Sequence, residues 1–276
     1  MKRLQCKRFI NISPNQSFVL AFTQSSVSMN NTAETLRQQQ HPLIRDLAKI
    51  IEETWTEYLP LSAYEFPGDL GFIEGRLEGE ALQIQNVCYQ TPQFRKLHLE
   101  LAKVGNNLDI LHCVMFPNSD YPLPMFGTDI VCGRGTISAA IVDLSPTSLD
   151  YSLPERYVSR LEALPTLPFD DQRALPNWGD IFSNYCLFVR PSSSSEAKQF
   201  LERVTDYLKL HCEMALTTSP ITSPEEQQQI RSGQVRYCTQ QQKNDKTRRV
   251  LEKAFGPEWT ERYMTTMLFD CIVDAA

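Results

Sequence analysis

The chain has 276 residues, 42% hydrophobic and 22% charged, with a net charge of −6. This is enough apolar material for one large domain or two small ones, and the acidic balance argues against nucleic acid as the main partner. No apolar run approaches the ~18 residues that a membrane-spanning helix needs. Eight cysteines (Cys6, Cys88, Cys113, Cys132, Cys186, Cys212, Cys238, Cys271) lie scattered without a C-x-x-C pair. That pattern fits neither a disulfide framework nor a structural zinc site. It suits small buried hydrophobes in a reducing compartment, so a cytoplasmic protein is expected.

Residues 1–33 carry Lys2, Arg3, Lys7 and Arg8 and no acid before Glu34. A transit peptide has this composition, and a weak signal peptide can be argued. A third reading places the true start at Met29; it is preferred because the extension offers nothing to pack. Residues 1–33 are therefore expected to lie outside the fold as a disordered extension or a misassigned start, with 34–276 forming the domain.

From about Thr35 to Leu59, Ile44, Leu47, Ile50, Ile51 and Trp55 recur at helical spacing and predict one amphipathic helix. The period then changes. Six strands are expected near 71–78, 81–91, 93–103, 108–116, 127–132 and 135–143, joined by short Gly, Asn or Pro connections. Strands in such close succession are most economically an antiparallel meander. A further strand is expected over Ile181 to Arg190. Ser195 to Leu216 reads as a helix with Phe200, Val204, Tyr207, Leu208 and His211 near one stripe. Ser223, Pro224 and Glu226 form a capping box that opens a long helix. Gly256 and Pro257 end it and start the last one, which carries Trp259, Tyr263, Met267 and Leu268. The expected fold is α/β, a single-domain three-layer α/β/α sandwich with a central antiparallel sheet.

Side chains alternate across a strand. Lys96, His98 and Glu100 share one face of theirs and Leu97, Leu99 and Leu101 the other; His112 shares a face with Leu108, Ile110, Val114 and Phe116, and Asp129 with Gly127 and Val131. Ionisable groups on apolar strands need explaining, because burying an unpaired charge is costly. They are either a mutually satisfied pair that fixes register or a proton-handling site; the residues alone leave both open. Gly133-Arg134-Gly135 lacks the context of a dinucleotide fingerprint and reads as a tight turn. With His41, His98, His112 and His211 dispersed, no metal site is expected. The basic stretch Lys243, Lys246, Arg248, Arg249 and Lys253 is, on charge pattern alone, a solvated helix face.

Longer stretches are more specific. Gly75–Glu80 (GRLEGE), Cys88–Lys96 (CYQTPQFRK), His98–Gly105 (HLELAKVG), Leu108–Pro117 (LDILHCVMFP) and Lys243–Gly256 (KNDKTRRVLEKAFG) closely resemble the phycocyanobilin-forming branch of the ferredoxin-dependent bilin reductases. The resemblance runs in continuous order from about Gln40 to Ile272; residues 1–33 fall outside it. It implies an α/β/α sandwich that reduces biliverdin IXα to phycocyanobilin in four one-electron steps, the D-ring vinyl group before the A ring. It implies no bound flavin, nicotinamide or metal, with electrons arriving from a reduced, acidic 2Fe-2S ferredoxin. A monomer is expected. A sibling reductase with another product and a non-catalytic bilin-binding protein are the alternatives.

Carried over residue by residue, the resemblance makes Asp129, in Phe126-Gly-Thr-Asp129, the central proton donor, and His112 its partner beside a lactam carbonyl. Glu100 becomes the acid near the D-ring vinyl group and His98 part of a proton or hydrogen-bond relay. Arg173, Lys246 and Ser138 correspond to positions that hold the propionates or the pocket edge, with Asn244 and Asp245 close by. Lys243, Arg248, Arg249 and Lys253 then gain a second role as a rim that steers an acidic ferredoxin.

Overall fold

The computed structural model describes residues 36–271, so the expectations for residues 1–33 and Met29 lie outside the described residues. The first helix is shorter than expected. Helical turns over residues 36–39 stop at Gln40, and α1 spans Pro42–Tyr58. Pro42 forces the break: the residue before a proline is pushed out of the helical region, and His41 sits at φ −53°, ψ 138°. Its Nδ1 accepts the Leu43 N–H and caps the new helix.

A short strand β1 (Ser62–Ala63) precedes the meander of β2 (Phe72–Leu77), β3 (Glu80–Gln90), β4 (Phe94–Val104), β5 (Leu108–Pro117), β6 (Met125–Gly133) and β7 (Thr136–Ser145). Two of its turns are two-residue hairpins with both residues at positive φ, Glu78-Gly79 (53° and 90°) and Arg134-Gly135 (50° and 76°). That conformation matches the twist of the strands it joins, and the second is the tight turn expected from sequence. The sheet order among the described residues is β1-β3-β4-β5-β6-β7-β8, with β2 beside β3 and every pair antiparallel.

β8 is confined to Leu187–Val189, where a strand over 181–190 was expected. Residues Gly179–Ile181 form a 3₁₀ turn instead. Next to it, Ser183 leaves the ladder to bind the buried Asp143 carboxylate: its Oγ donates to Oδ1 at 2.6 Å and its N–H to Oδ2 at 3.0 Å. A buried carboxylate requires such donors, and supplying them costs the strand its first residues.

α2 (Glu155–Glu162) lies in the long connection after β7, and α3 covers Ser194–Thr217. The Ser223 cap opens α4 (Pro224–Gln241), with its Oγ accepting the Glu226 N–H. The single long helix expected from there to Gly256 is split in two. Asn244 Oδ1 accepts the N–H groups of Lys246 and Thr247 and starts a new helix, α5 (Asp245–Phe255). A short amide side chain that bonds its own downstream backbone competes with helix continuation. After Gly256 (φ 84°) comes α6 (Pro257–Tyr263), then a widened π turn over Met264–Leu268.

The alternation of β4 to β7 sends Leu97, Leu99, Leu101, Leu111, Cys113, Met115, Phe126 and Ile130 to one side, against α1, α2 and α3. On the other side Ala102, Val104, Val114 and Phe116 meet α4, α5 and α6. Three layers result, as expected. Close approach on the second side depends on glycine: a Cβ at Gly75 would come within 2.4 Å of the Phe255 ring, and one at Gly233 within 2.0 Å of the Thr147 backbone oxygen.

Candidate active site

The register of the sheet assembles the polar face. Asn86 pairs with Glu100, Glu100 with His112, and His112 with Asp129, so the four side chains form one row across β3, β4, β5 and β6. His98 stands two residues along β4 on the same face. Asn86, His98, Glu100 and His112 are buried, while the Asp129 side chain keeps about a third of its surface (36%) open. The row thus runs from the interior to solvent.

His112 Nδ1 lies 2.6 Å from Asp129 Oδ1. Burial pulls the imidazole towards neutrality, but the Asp129 charge and hydrogen bond, with Glu100 behind them, outweigh it and hold His112 above its usual value. His98 goes the other way, driven well below its usual value by burial and by the neighbouring Lys96 and His112. Glu100 is raised by burial, against the opposing pull of His112 and Tyr263. A histidine raised, a histidine lowered and a carboxyl raised from their ordinary values therefore share one site, the kind of arrangement suited to proton transfer. Among the described residues no protein group bonds His98 Nδ1 or His112 Nε2, although both are buried.

Several contributors were not singled out from sequence. The Tyr263 hydroxyl oxygen lies 2.6 Å from Glu100 Oε2 and 3.0 Å from Asn86 Oδ1, with one proton to share between the two contacts. Asn86 also contacts His98 Nε2 at 2.7 Å. The Phe269 ring meets His112 edge-on, with centroids 5.3 Å apart. Lys96, fully buried on the same face, pairs with Asp270 and donates to the Met267 carbonyl at 3.0 Å. Arg95 reaches Asp270 as well, through its carboxylate and its carbonyl. Tyr263 stands in a stripe that reads as helix core, and nothing local marks it: its contact spans 163 residues of chain.

The remaining residues expected at the site fall into groups. Arg173 and Ser138 come together: Arg173 Nη1 donates to the Ser138 carbonyl, its guanidinium covers the Phe188 ring, and Ser138 Oγ donates to Val131 O at 3.0 Å. They stand on the β7–β8 side, beyond Asp129. Asn244 is occupied as the cap of α5, with Asp245 and Lys246 exposed in its first turn. No hydrogen bond among the described residues links these three to the row. Of the basic stretch, Arg248 pairs with Glu261 at 2.7 Å and Lys253 with Glu78 at 3.0 Å. Arg249 donates to the Asp245 carbonyl, and Lys243, Lys246 and Arg249 are exposed.

Comparison with known proteins places the chain by family and fold. The sequence model of the family described as "Ferredoxin-dependent bilin reductase" matches residues 48–270. A relative from Trichodesmium erythraeum, named phycocyanobilin:ferredoxin oxidoreductase, is 60% identical over 232 residues, covering 84% of this chain and 94% of its own. One of the same name from Synechococcus elongatus is 58% identical over 242 residues, covering 87% and 98%. Among solved structures, tomato phytochromobilin synthase in complex with biliverdin superposes with a TM-score of 0.68 at 18% identity, covering 81% of each chain, and so shares the fold.

Proposed function

This chain belongs to the ferredoxin-dependent bilin reductases, and we propose that it carries biliverdin IXα to phycocyanobilin, reducing the D-ring vinyl group first and the A ring second. That it is an oxidoreductase acting on a bilin with ferredoxin electrons follows from the family. The observation that carries the finer reading is the row itself: Asp129, His112 and Glu100 stand side by side in register on one face, with His112 and Glu100 buried and both raised above their ordinary values.

Each of the two reductions takes two electrons and two protons. Ferredoxin supplies the electrons and the bilin holds them, so the protein's task is binding, orientation and proton delivery. Adding an electron makes the bilin oxygens and carbons more basic, and each electron calls for a nearby proton. His112 held charged by Asp129 offers an Nε2–H to a lactam oxygen. The two exchange protons as a coupled pair, and the proton belongs to the pair rather than to either residue. Glu100, deeper and drier, serves the vinyl group, with His98 behind it in a relay. Arg173, Ser138 and Lys246 receive the propionates, with Asn244 and Asp245 beside them.

Lys243, Lys246 and Arg249 face solvent and, with Arg248 and Lys253, would speed encounter with an acidic ferredoxin. Long-range steering needs the sum of charges, so the ion pairs to Glu261 and Glu78 weaken this rim without abolishing it. The protein acts as a monomer in the cytoplasm.

Biliverdin added to the protein, followed by reduced ferredoxin without oxygen, tests the reading by absorption spectroscopy and product identification. Phycocyanobilin is the expected product. A product that keeps the D-ring vinyl group would favour a sibling reductase, and tight binding with no colour change after reduction would favour a carrier.

A further inference from the structure

Asn86 fixes the direction of a hydrogen-bond chain around Glu100. Its Nδ2 donates to Leu70 O at 2.7 Å, and its backbone N–H to Gly71 O at 2.8 Å. Turning the amide over would set two oxygens against each other at the first contact, so Oδ1 is the acceptor facing the site. Two groups meet it, His98 Nε2 at 2.7 Å and the Tyr263 hydroxyl at 3.0 Å. His98 therefore carries its proton on Nε2 and leaves Nδ1 bare.

Tyr263 has one proton and two oxygen neighbours, Asn86 Oδ1 and Glu100 Oε2. If Glu100 were a carboxylate it would take that proton. The tyrosine oxygen would then face Asn86 Oδ1 at 3.0 Å with no hydrogen between them, in a place with no exposed surface on Tyr263. Asn86 Oδ1 would keep the His98 N–H, but two oxygen lone pairs held face to face in a dry site repel, and one hydrogen bond of the chain is lost. With Glu100 protonated, every contact is a hydrogen bond: Glu100 O–H donates to Tyr263, Tyr263 O–H to Asn86, and His98 N–H to Asn86.

We propose that Tyr263 and Asn86 are positioning residues that keep Glu100 loaded with a proton before reduction and re-bond it afterwards. The proposal rests on the reading of Glu100 as the acid for the D-ring vinyl group. In that step the bilin has received an electron from ferredoxin. The Glu100 O–H bond breaks, a C–H bond forms on the vinyl group, and the electron pair stays on the carboxylate. The Tyr263 hydroxyl then rotates about its C–O bond and donates to the new carboxylate, while Asn86 keeps the His98 N–H. One hydrogen moves and no heavy atom does. Water replaces the lost proton between turnovers. His112 across the strand pair, Asp129 beyond it and Lys96 along β4 set the charge that this rotor works against; the His112 cation alone would favour ionised Glu100.

Infrared difference spectra of the bilin-free protein at neutral pH, wild type against Glu100→Gln, test the loaded state directly. A carboxylic-acid C=O band lost in the variant is expected; loss of carboxylate bands in its place overturns the proposal. In Tyr263→Phe the acid band should move to higher frequency, because its acceptor is gone. In anaerobic turnover Tyr263→Phe should slow the vinyl step about tenfold, well short of the roughly 10²–10⁴ lost with a general acid. Biliverdin binding should hold while product shifts towards A-ring reduction alone. An unmoved band or an unchanged product ratio sinks the rotor. Should Tyr263→Phe fail to fold, the comparison of wild type with Glu100→Gln still decides the protonation. Phycocyanobilin formation by a wild type without the acid band overturns this inference and leaves the functional reading standing. An acid band in a protein that never reduces the vinyl group overturns the functional reading, and with it the rotor's purpose.

Discussion

His211 and His112 lie on opposite faces of the same sheet, both buried and both among aromatic rings. His211 belongs to the α3 side. Its Nδ1 meets the Tyr157 hydroxyl at 2.9 Å, and Phe94 and Phe126 flank it. Burial, with Arg156 nearby, drives its pKa down to about 3. It is a core side chain that happens to contain nitrogen. His112 is equally enclosed, yet Asp129 at 2.6 Å holds it above its ordinary value. Burial alone favours the neutral ring; a carboxylate against it favours the charged one.

The sharpest way to break this contrast is Asp129→Asn, which should make His112 resemble His211. The imidazole loses its counter-charge and settles neutral. Biliverdin should still bind, while the rate after anaerobic mixing with reduced ferredoxin falls by roughly 10²–10⁴, the range for loss of an acid–base group. A near-normal single-turnover rate would show that the pair is merely structural.

The apolar face should respond in stability rather than chemistry. Leu99 is fully buried between the sheet and the first helical layer. Leu99→Ala should cost about 2–5 kcal/mol in urea unfolding, from lost transfer energy and the cavity left behind. The product spectrum should not change. A changed product with unchanged stability would reverse the roles assigned to the two faces.

A smaller effect separates the histidines by the sign of their pH dependence. His211 is neutral when folded and becomes protonated below about pH 6.5 when unfolded. Its contribution is therefore intact above pH 6.5 and is lost as pH falls towards about 3. Each pH unit in that window costs up to about 1.4 kcal/mol. His112 has the opposite sign: its stabilisation is full below its unfolded value of 6.5 and fades as pH rises through its higher folded value. His211→Phe should weaken the fold at pH 7 by losing the Tyr157 contact. It should also lose about 2 kcal/mol less than wild type between pH 7 and pH 5. Parallel unfolding curves for the two proteins would mean that His211 does not stay neutral in the folded state.

Much of this was legible in the sequence, because strands and caps are local. Alternation along 93–103 placed His98 and Glu100 on a face apart from Leu97, Leu99 and Leu101, alternation along 108–116 set His112 among apolar neighbours, and Gly133-Arg134-Gly135 marked its turn. The long stretches shared with the bilin reductases named the family and its central pair. Errors came where a side chain overrode a period: Pro42 behind His41, Asn244 capping α5, and Ser183 drawn from its strand to Asp143. Lys246, Asn244 and Asp245 were expected near the pocket; Asn244 is held as the cap of α5, and Asp245 and Lys246 are exposed in its first turn.

The sequence by itself determined which residues of a strand share a face, since a period of two is written in neighbouring residues. It could not determine that Asn86, Glu100, His112 and Asp129 form a single row, because register across four strands is set by hairpin turns and packing together. Nor could it show that Tyr263 stands over Glu100, which required the chain to return after 163 residues and close a third layer on the sheet. The protonation of the site depends on that closure, because burial and hydrogen-bond partners set proton affinity, and both exist only once the layers meet.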